Sequence, residues 1–235
     1  LFTNRNGKHD FKNRISFFEP LRYEEKSQEH QLLSSFQYAI SDGEIFFVLQ
    51  PQCDLATGKV VGAEALVRWT NKNGEKLTPA QFVPVLEKNG FIVTLDKHIW
   101  GLVARWMAGC VSRGIAPVPV SINVSRVDIL AFDVPEFIRS LLATWHLSPA
   151  LLEAEITETA YMQDQQAVSN VVNRLRSMGV RVLMDDFGTG SSSLSMLSGV
   201  SVDVIKLDRQ FLPNVENTQL RIDKDESIVA SMVLM

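Results

Sequence analysis

The stretch Val182–Leu197, VLMDDFGTGSSSLSML, starts as an apolar strand, ends on two adjacent aspartates, Asp185 and Asp186, and then turns through Gly188 and Gly190. Like charges in neighbouring positions repel, and desolvating either beside an apolar core is expensive. The pair implies a positive partner between the aspartates and the rest of a site. The glycines by themselves need mean only positive φ angles. No GxxxxGK is present, so a triphosphate-binding loop is a poor match, and a loop carrying a second ligand and packing near Glu158 is a better one.

Outward from this stretch, the strand VRVLMDD is one of several. EIFFVLQPQ (44–52) and VVGAEALVRW (60–69) are joined by CDLATGK, which is too short for a parallel crossover, so these two form an antiparallel hairpin. Ahead of them, HQLLSSFQYAIS sets Leu32, Leu33, Phe36 and Ile40 on one helical face, and Asp42-Gly43 ends it. Thr78-Pro79 opens a helix that Gly90 closes. A longer helix from about Thr94 to Arg113 buries Leu95, Ile99, Leu102, Trp106 and Cys110. Thereafter the chain alternates. The strand PVSINVS precedes a helix over 135–145, LLEAEIT a helix over 163–178, VRVLMDD a short helix SSLSML, and VDVIKLD a final helical run from about Lys224. Such alternation predicts a parallel sheet with right-handed crossovers.

The bulk properties narrow the partners. The 235 residues are 46% hydrophobic and carry a net charge of -4, which suits one main domain and argues against a protein that grips long nucleic acid. Cys53 and Cys110 form no metal-binding or redox motif, so a reducing, cytoplasmic setting fits. Apolar runs fall short of the ~20 residues of a membrane span. No membrane contact is expected within this segment, and an anchor elsewhere in a parent protein stays open.

The strands are apolar except at or near their carboxyl ends, where Glu64, Asn123, Glu155, Glu158, Asp185, Asp186, Lys206 and Asp208 fall. In a parallel barrel those ends meet on one face, where such folds build their sites. Each residue also has a plain structural role open to it: Glu64 pairing with Arg68, Asn123 capping the next helix, Lys206 pairing with Asp208, Glu158 favoured by a helix dipole. Convergence on one rim favours a common site. Its donors are oxygens, with no cysteine or histidine, which selects Mg2+ or Mn2+ over zinc. One aspartate bridging two cations while its neighbour holds the second would explain the pair, and two cations about 3.5–4 Å apart are a device of phosphodiester cleavage.

EALVRW (64–69), INVS (122–125), EITE (155–158), DDFGTG (185–190) and KLD (206–208), in that order, resemble the signature of EAL-domain phosphodiesterases, which open cyclic di-GMP to linear pGpG. The resemblance implies a (β/α)8 TIM-like barrel with one antiparallel strand. It implies metal ligation by Glu64, Asn123, Glu155, Asp185 and Asp186, a water-positioning or general-base role for Lys206 in a catalytic set with Glu64 and Glu158, and support of the glycine loop by Glu158. Gln50, Arg68 and Asp208 fall at substrate-binding positions, and a homodimer is expected. A lysine crowded by metal ions would have its pKa lowered, although orientation of water alone is the safer role. Ser191 stands where the family has an aromatic, and LQPQ replaces YQP. The family continues into AEGVE-like and QGY-like motifs, which the sequence to Met235 does not contain. Six strands are counted from Glu44, so two further strand and helix units are expected beyond Met235 to close the barrel. Residues 1–28, with NGKHDFKNRISFFEP, resemble the tail of a GGDEF domain followed by a linker, and 29–235 form the EAL domain. A catalytically silent EAL module acting as a cyclic di-GMP receptor or protein-interaction domain is the alternative.

Overall fold

The computed structural model describes residues 20–188, 201–208 and 210. Helix α1 (Pro20–Ser41) leads into the hairpin of β1 (Ile45–Cys53) and β2 (Val60–Thr70), with β3 (Lys76–Leu77) folded back onto β2. Helices α2 (Pro79–Lys88) and α3 (Ile92–Ser112) follow. Then β4 (Val120–Asn123), α4 (Arg126–Ala131), α5 (Val134–Thr144), β5 (Leu152–Thr157), α6 (Glu158–Gln163), α7 (Gln165–Ser177), β6 (Arg181–Phe187) and β7 (Val204–Leu207) complete the order.

The sheet runs β1-β2-β4-β5-β6-β7. β1 and β2 are antiparallel, as the short link between them demands, and every later neighbour along this path is parallel. The link itself is held by Asp54, whose Oδ1 accepts from the Thr57 amide and hydroxyl at 2.8 and 2.7 Å. Among the described residues the sheet does not close on itself, so the fold is an open portion of a TIM-like α/β barrel.

Several local expectations are corrected. The first helix begins at Pro20, not His30, so the charged run before His30 is helical. The two-residue β3 was not foreseen. The helix expected over 163–178 is α7, which Asp164 starts by accepting from the Ala167 amide, and the short α6 before it is an additional element. Helix α4 was also missed: Ser125 and Asp128 cap each other reciprocally, a device that stabilises only six residues. The expected helix SSLSML and the helical run from Lys224 lie outside the described residues.

Below the hairpin, Trp69 packs against Phe82 of α2 at 5.5 Å between ring centres and against Phe36 of α1 at 6.1 Å. All three are buried. This cluster fixes α1 and α2 against the strand that carries Glu64. Phe82→Ala should therefore lower the stability of the domain by about 3–5 kcal/mol, measured as a shift of the urea midpoint at unchanged slope.

Candidate active site

The parallel register assembles the site. Glu64 lies beside Ser121, Asn123 beside Glu155, and Thr157 beside Asp185, so each strand brings its polar residue to the same end of the sheet. Lys206 of β7 supplies the centre. Its Nζ stands 2.8 Å from Glu64 Oε2, 2.6 Å from Glu155 Oε2 and 3.3 Å from Asp185 Oδ1. Lys206 does not pair with Asp208, nor Glu64 with Arg68: the Arg68 guanidinium donates to its neighbour's carbonyl, Val67 O, at 2.8 Å.

Burial sets the electrostatics. Glu155 is 1% exposed, and burial raises its pKa against the pull of Lys206. Its Oε1 is buried with no hydrogen-bond partner. Burial alone would lower the pKa of Lys206, but hydrogen bonds to Glu155 and Glu64 outweigh it and the net shift is upward. The carboxylates that surround the lysine are the cause of this upward shift. Asp186 is also raised, by burial first and then by Asp185 and Asp208.

A β-bulge separates the two aspartates. Met184 pairs with Ile205 and Phe187 with Leu207, so β6 spends one residue more than β7 over the same span, and Asp186 takes the left-handed φ of 55°. Aspartate tolerates that region better than most residues. The bulge lets Asp185 stay with Glu64 and Glu155 while Asp186 is exposed.

Carboxylate oxygens of Glu64, Glu155 and Asp185 lie within 4.8 Å of one another, a set suited to a hard cation. Oε1 of Glu155 receives no hydrogen bond of ordinary geometry, although the Ser121 hydroxyl lies close enough to the carboxylate to favour its charged form, and this oxygen suits a ligand atom. Asn123 joins this set through its Nδ2, which donates to Glu64 Oε1 at 3.4 Å, and it does not cap α4, a role that Ser125 fills. Gln50 is exposed on β1, directly across from Glu64 in the hairpin register.

Glu158 opens α6 with Thr157 as its cap, and its Oε2 accepts from the Gly188 amide at 2.6 Å. Two further residues were not singled out from sequence. Gln210 Nε2 donates to Gly188 O at 3.2 Å while its amide donates to Asp208 Oδ1 at 2.7 Å, so Gly188 is held on both its N–H and its carbonyl. Trp100 donates from Nε1 to Asn123 O at 3.1 Å. Neither carried a signal: Gln210 follows the KLD motif as an ordinary polar residue, and Trp100 reads as a core aromatic.

The sequence profile described as the EAL domain matches residues 33–235. The chain belongs to the EAL domain family. Among EAL-bearing relatives, the cyclic di-GMP phosphodiesterase PA2567 of Pseudomonas aeruginosa is 37% identical over 185 residues, covering 77% of this chain and 31% of that protein. The bifunctional diguanylate cyclase/cyclic di-GMP phosphodiesterase MucR of the same organism is 30% identical, covering 95% of this chain and 32% of that protein. The chain thus spans about a third of the length of these two relatives. The solved MucR phosphodiesterase in complex with c-di-GMP superposes with a TM-score of 0.78 at 30% identity, over 87% of this chain and 81% of that one. No helix among the described residues is long and apolar enough to cross a membrane.

Lys206→Met would leave three EAL-domain carboxylates without their cation. Without divalent ions, a loss of about 3 kcal/mol is expected at neutral pH, as for a broken buried ion pair. The loss should shrink as the pH falls and Glu155 takes up a proton. Urea unfolding at two pH values checks this.

Proposed function

We propose that this EAL domain hydrolyses cyclic di-GMP to linear pGpG, with Mg2+ or Mn2+ held at the strand ends. The observation that carries the reading is the convergence of Glu64, Glu155 and Asp185 around one ammonium, with a buried Glu155 oxygen left without a donor. Glu64, Asn123, Glu155 and Asp185 are the ligands proposed for one cation, and Asp185 and Asp186 those for a second. Ligation by Asn123 needs its amide turned so that the oxygen faces the ion. The cations supply Lewis acidity toward the phosphate and acidify a water.

The chain's own residues have separate tasks. Lys206, whose ammonium donates hydrogen bonds to Glu64 and Glu155, is placed to orient the attacking water. Arg68 offers a planar fork to a phosphate once it leaves Val67 O. Gln50 stands across from Glu64 to meet the dinucleotide. Glu158 fixes Gly188, just past the end of β6.

Asp185→Asn or Glu64→Gln should abolish Mg2+-dependent release of pGpG while leaving the domain folded, and retained turnover in either would overturn the assignment. Cyclic di-GMP binding without turnover in the unmutated protein would establish the receptor alternative. Arg68→Ala should weaken substrate binding by about 1.5–3 kcal/mol, with Lys206→Ala acting mainly on the rate; calorimetry and kinetics on the two variants separate these effects. Mg2+ affinity should rise from about pH 5 to 7.5, because protons on Glu155 and Asp186 compete with the ion. Titration calorimetry at several pH values reads that slope.

A further inference from the structure

A second group of acids lies away from the site, where α2, α3 and α4 meet. Asp128 is 0% exposed. Its Oδ2 is committed to the α4 cap, accepting from Ser125 N at 2.9 Å and Ser125 Oγ at 2.6 Å. Its Oδ1 is buried and receives no hydrogen bond from any N–H or hydroxyl. A buried acceptor left in that state costs about 1–3 kcal/mol. The carboxyl of Asp96, a half-buried residue on α3, lies within hydrogen-bonding reach of Asp128. Two carboxylates in contact form a hydrogen bond only if one carries a proton.

We propose that Asp96 and Asp128 share one proton, which latches α3 onto α4 and makes that contact sensitive to pH. The proton supplies the donor that Asp128 Oδ1 lacks.

Among the described residues no ion pair joins a cation to Asp96 or Asp128. The charges that act on Asp96 are Asp128 and, from α2, Glu87, and both are negative. Burial and these two neighbours push the Asp96 carboxyl well above the usual range, and Glu87 is raised as well, by burial and by Asp128. On α3 itself, Lys97 is turned away over the Phe132 ring, at 3.8 Å from its centre, and His98 Nε2 meets Ile45 O at 3.3 Å. Arg126 opens α4, but its Nε is buried without a partner. On α5, Arg139 is paired with Glu136. On α7, which packs on α4, Arg174 and Arg176 are paired with Asp133 and Asp203. β1 and β4, which also pack on α3, contain no charged residue.

The latch bears on the EAL site through geometry. One turn along α3 from Asp96, Trp100 donates to Asn123 O, so α3 touches both the end of β4 and the helix after it. The inference does not depend on hydrolysis.

The sign follows from the upward shift of Asp96. The folded state retains a proton that the unfolded chain releases, so stability is greatest below the unfolded aspartate pKa of about 3.9 and falls as the pH rises toward the folded value. Asp96→Asn keeps a donor and needs no proton. In urea unfolding of the full protein, read at the α3 amides by hydrogen exchange, the ratio of the unfolding constants of wild type and Asp96→Asn should increase with pH. Its slope should approach tenfold per pH unit below the folded value. A ratio that stays constant from about pH 5 to 8 would overturn the proposal. So would a Mg2+-dependent stabilisation that the wild type has and Asp96→Asn lacks, because it would place a metal cation between the carboxylates. The side-chain carboxyl carbon-13 shift of Asp96, followed through the same range in the unmutated protein, covers failure of the variant to fold. A midpoint above the ordinary aspartate range is expected, and an ordinary midpoint would overturn the shared proton.

Discussion

The ammonium of Lys206 is the contact on which this site depends. Its Nζ meets carboxylates from β2, β5 and β6, and the Lys206–Glu64 bond joins residues 142 apart in sequence. Three acids so close would repel strongly where water is scarce, and burial alone would push Glu155 toward its neutral form. With the ammonium present they stay assembled. The same contact ties β7 across the end of the sheet, so the electrostatics of the site and the placement of the last described strand are one interaction. Its worth lies less in net stability, since well-packed apolar residues can match buried ion pairs, than in specifying which oxygens face one another.

The β6 bulge divides labour that adjacency alone could not. In a regular strand Asp185 and Asp186 would point to opposite faces of the sheet. The additional residue and the left-handed backbone at Asp186 interrupt that alternation at the strand end. Asp186 thereby remains within the electrostatic reach of Asp185, Asp208, Lys206 and Glu64 although it is exposed. Immediately after it, Gly188 is clamped by Glu158 and Gln210, which fixes the chain where it leaves the sheet. The strand end is therefore set from both sides: by Lys206 through Asp185, and by Glu158 through Gly188.

Much of this was legible in the sequence, and what was not has physical causes. Alternating strands and helices indicated the parallel sheet, and the short CDLATGK link required the hairpin, because both follow from connection length and handedness. Polar residues at apolar strand ends marked the rim. The sequence leaves Asp208 open as a local partner of Lys206, because proximity along the chain says nothing about which strands lie across the sheet; three non-local carboxylates outcompete the local one. Glu64 likewise passed over Arg68 for Lys206. The bulge was invisible since no glycine marks it, Asp186 itself adopting the unusual φ. Helix α6 was not legible because it is only six residues long and starts directly on the polar end of β5.

The two oxygens of Glu155 bear on how an ion would enter. Oε2 is engaged by Lys206 at 2.6 Å, whereas Oε1 has no partner. A divalent cation and the ammonium need not compete for the same atom, since one carboxylate offers lone pairs on both oxygens. Glu64 repeats the arrangement: Oε2 goes to Lys206, and Oε1 only to a long 3.4 Å contact with Asn123. Each of the two carboxylates thus keeps one oxygen outside the hydrogen bonds of the ammonium. Lys206 therefore fixes both carboxylates through one oxygen each and leaves the second oxygen of Glu64 with only a long amide contact.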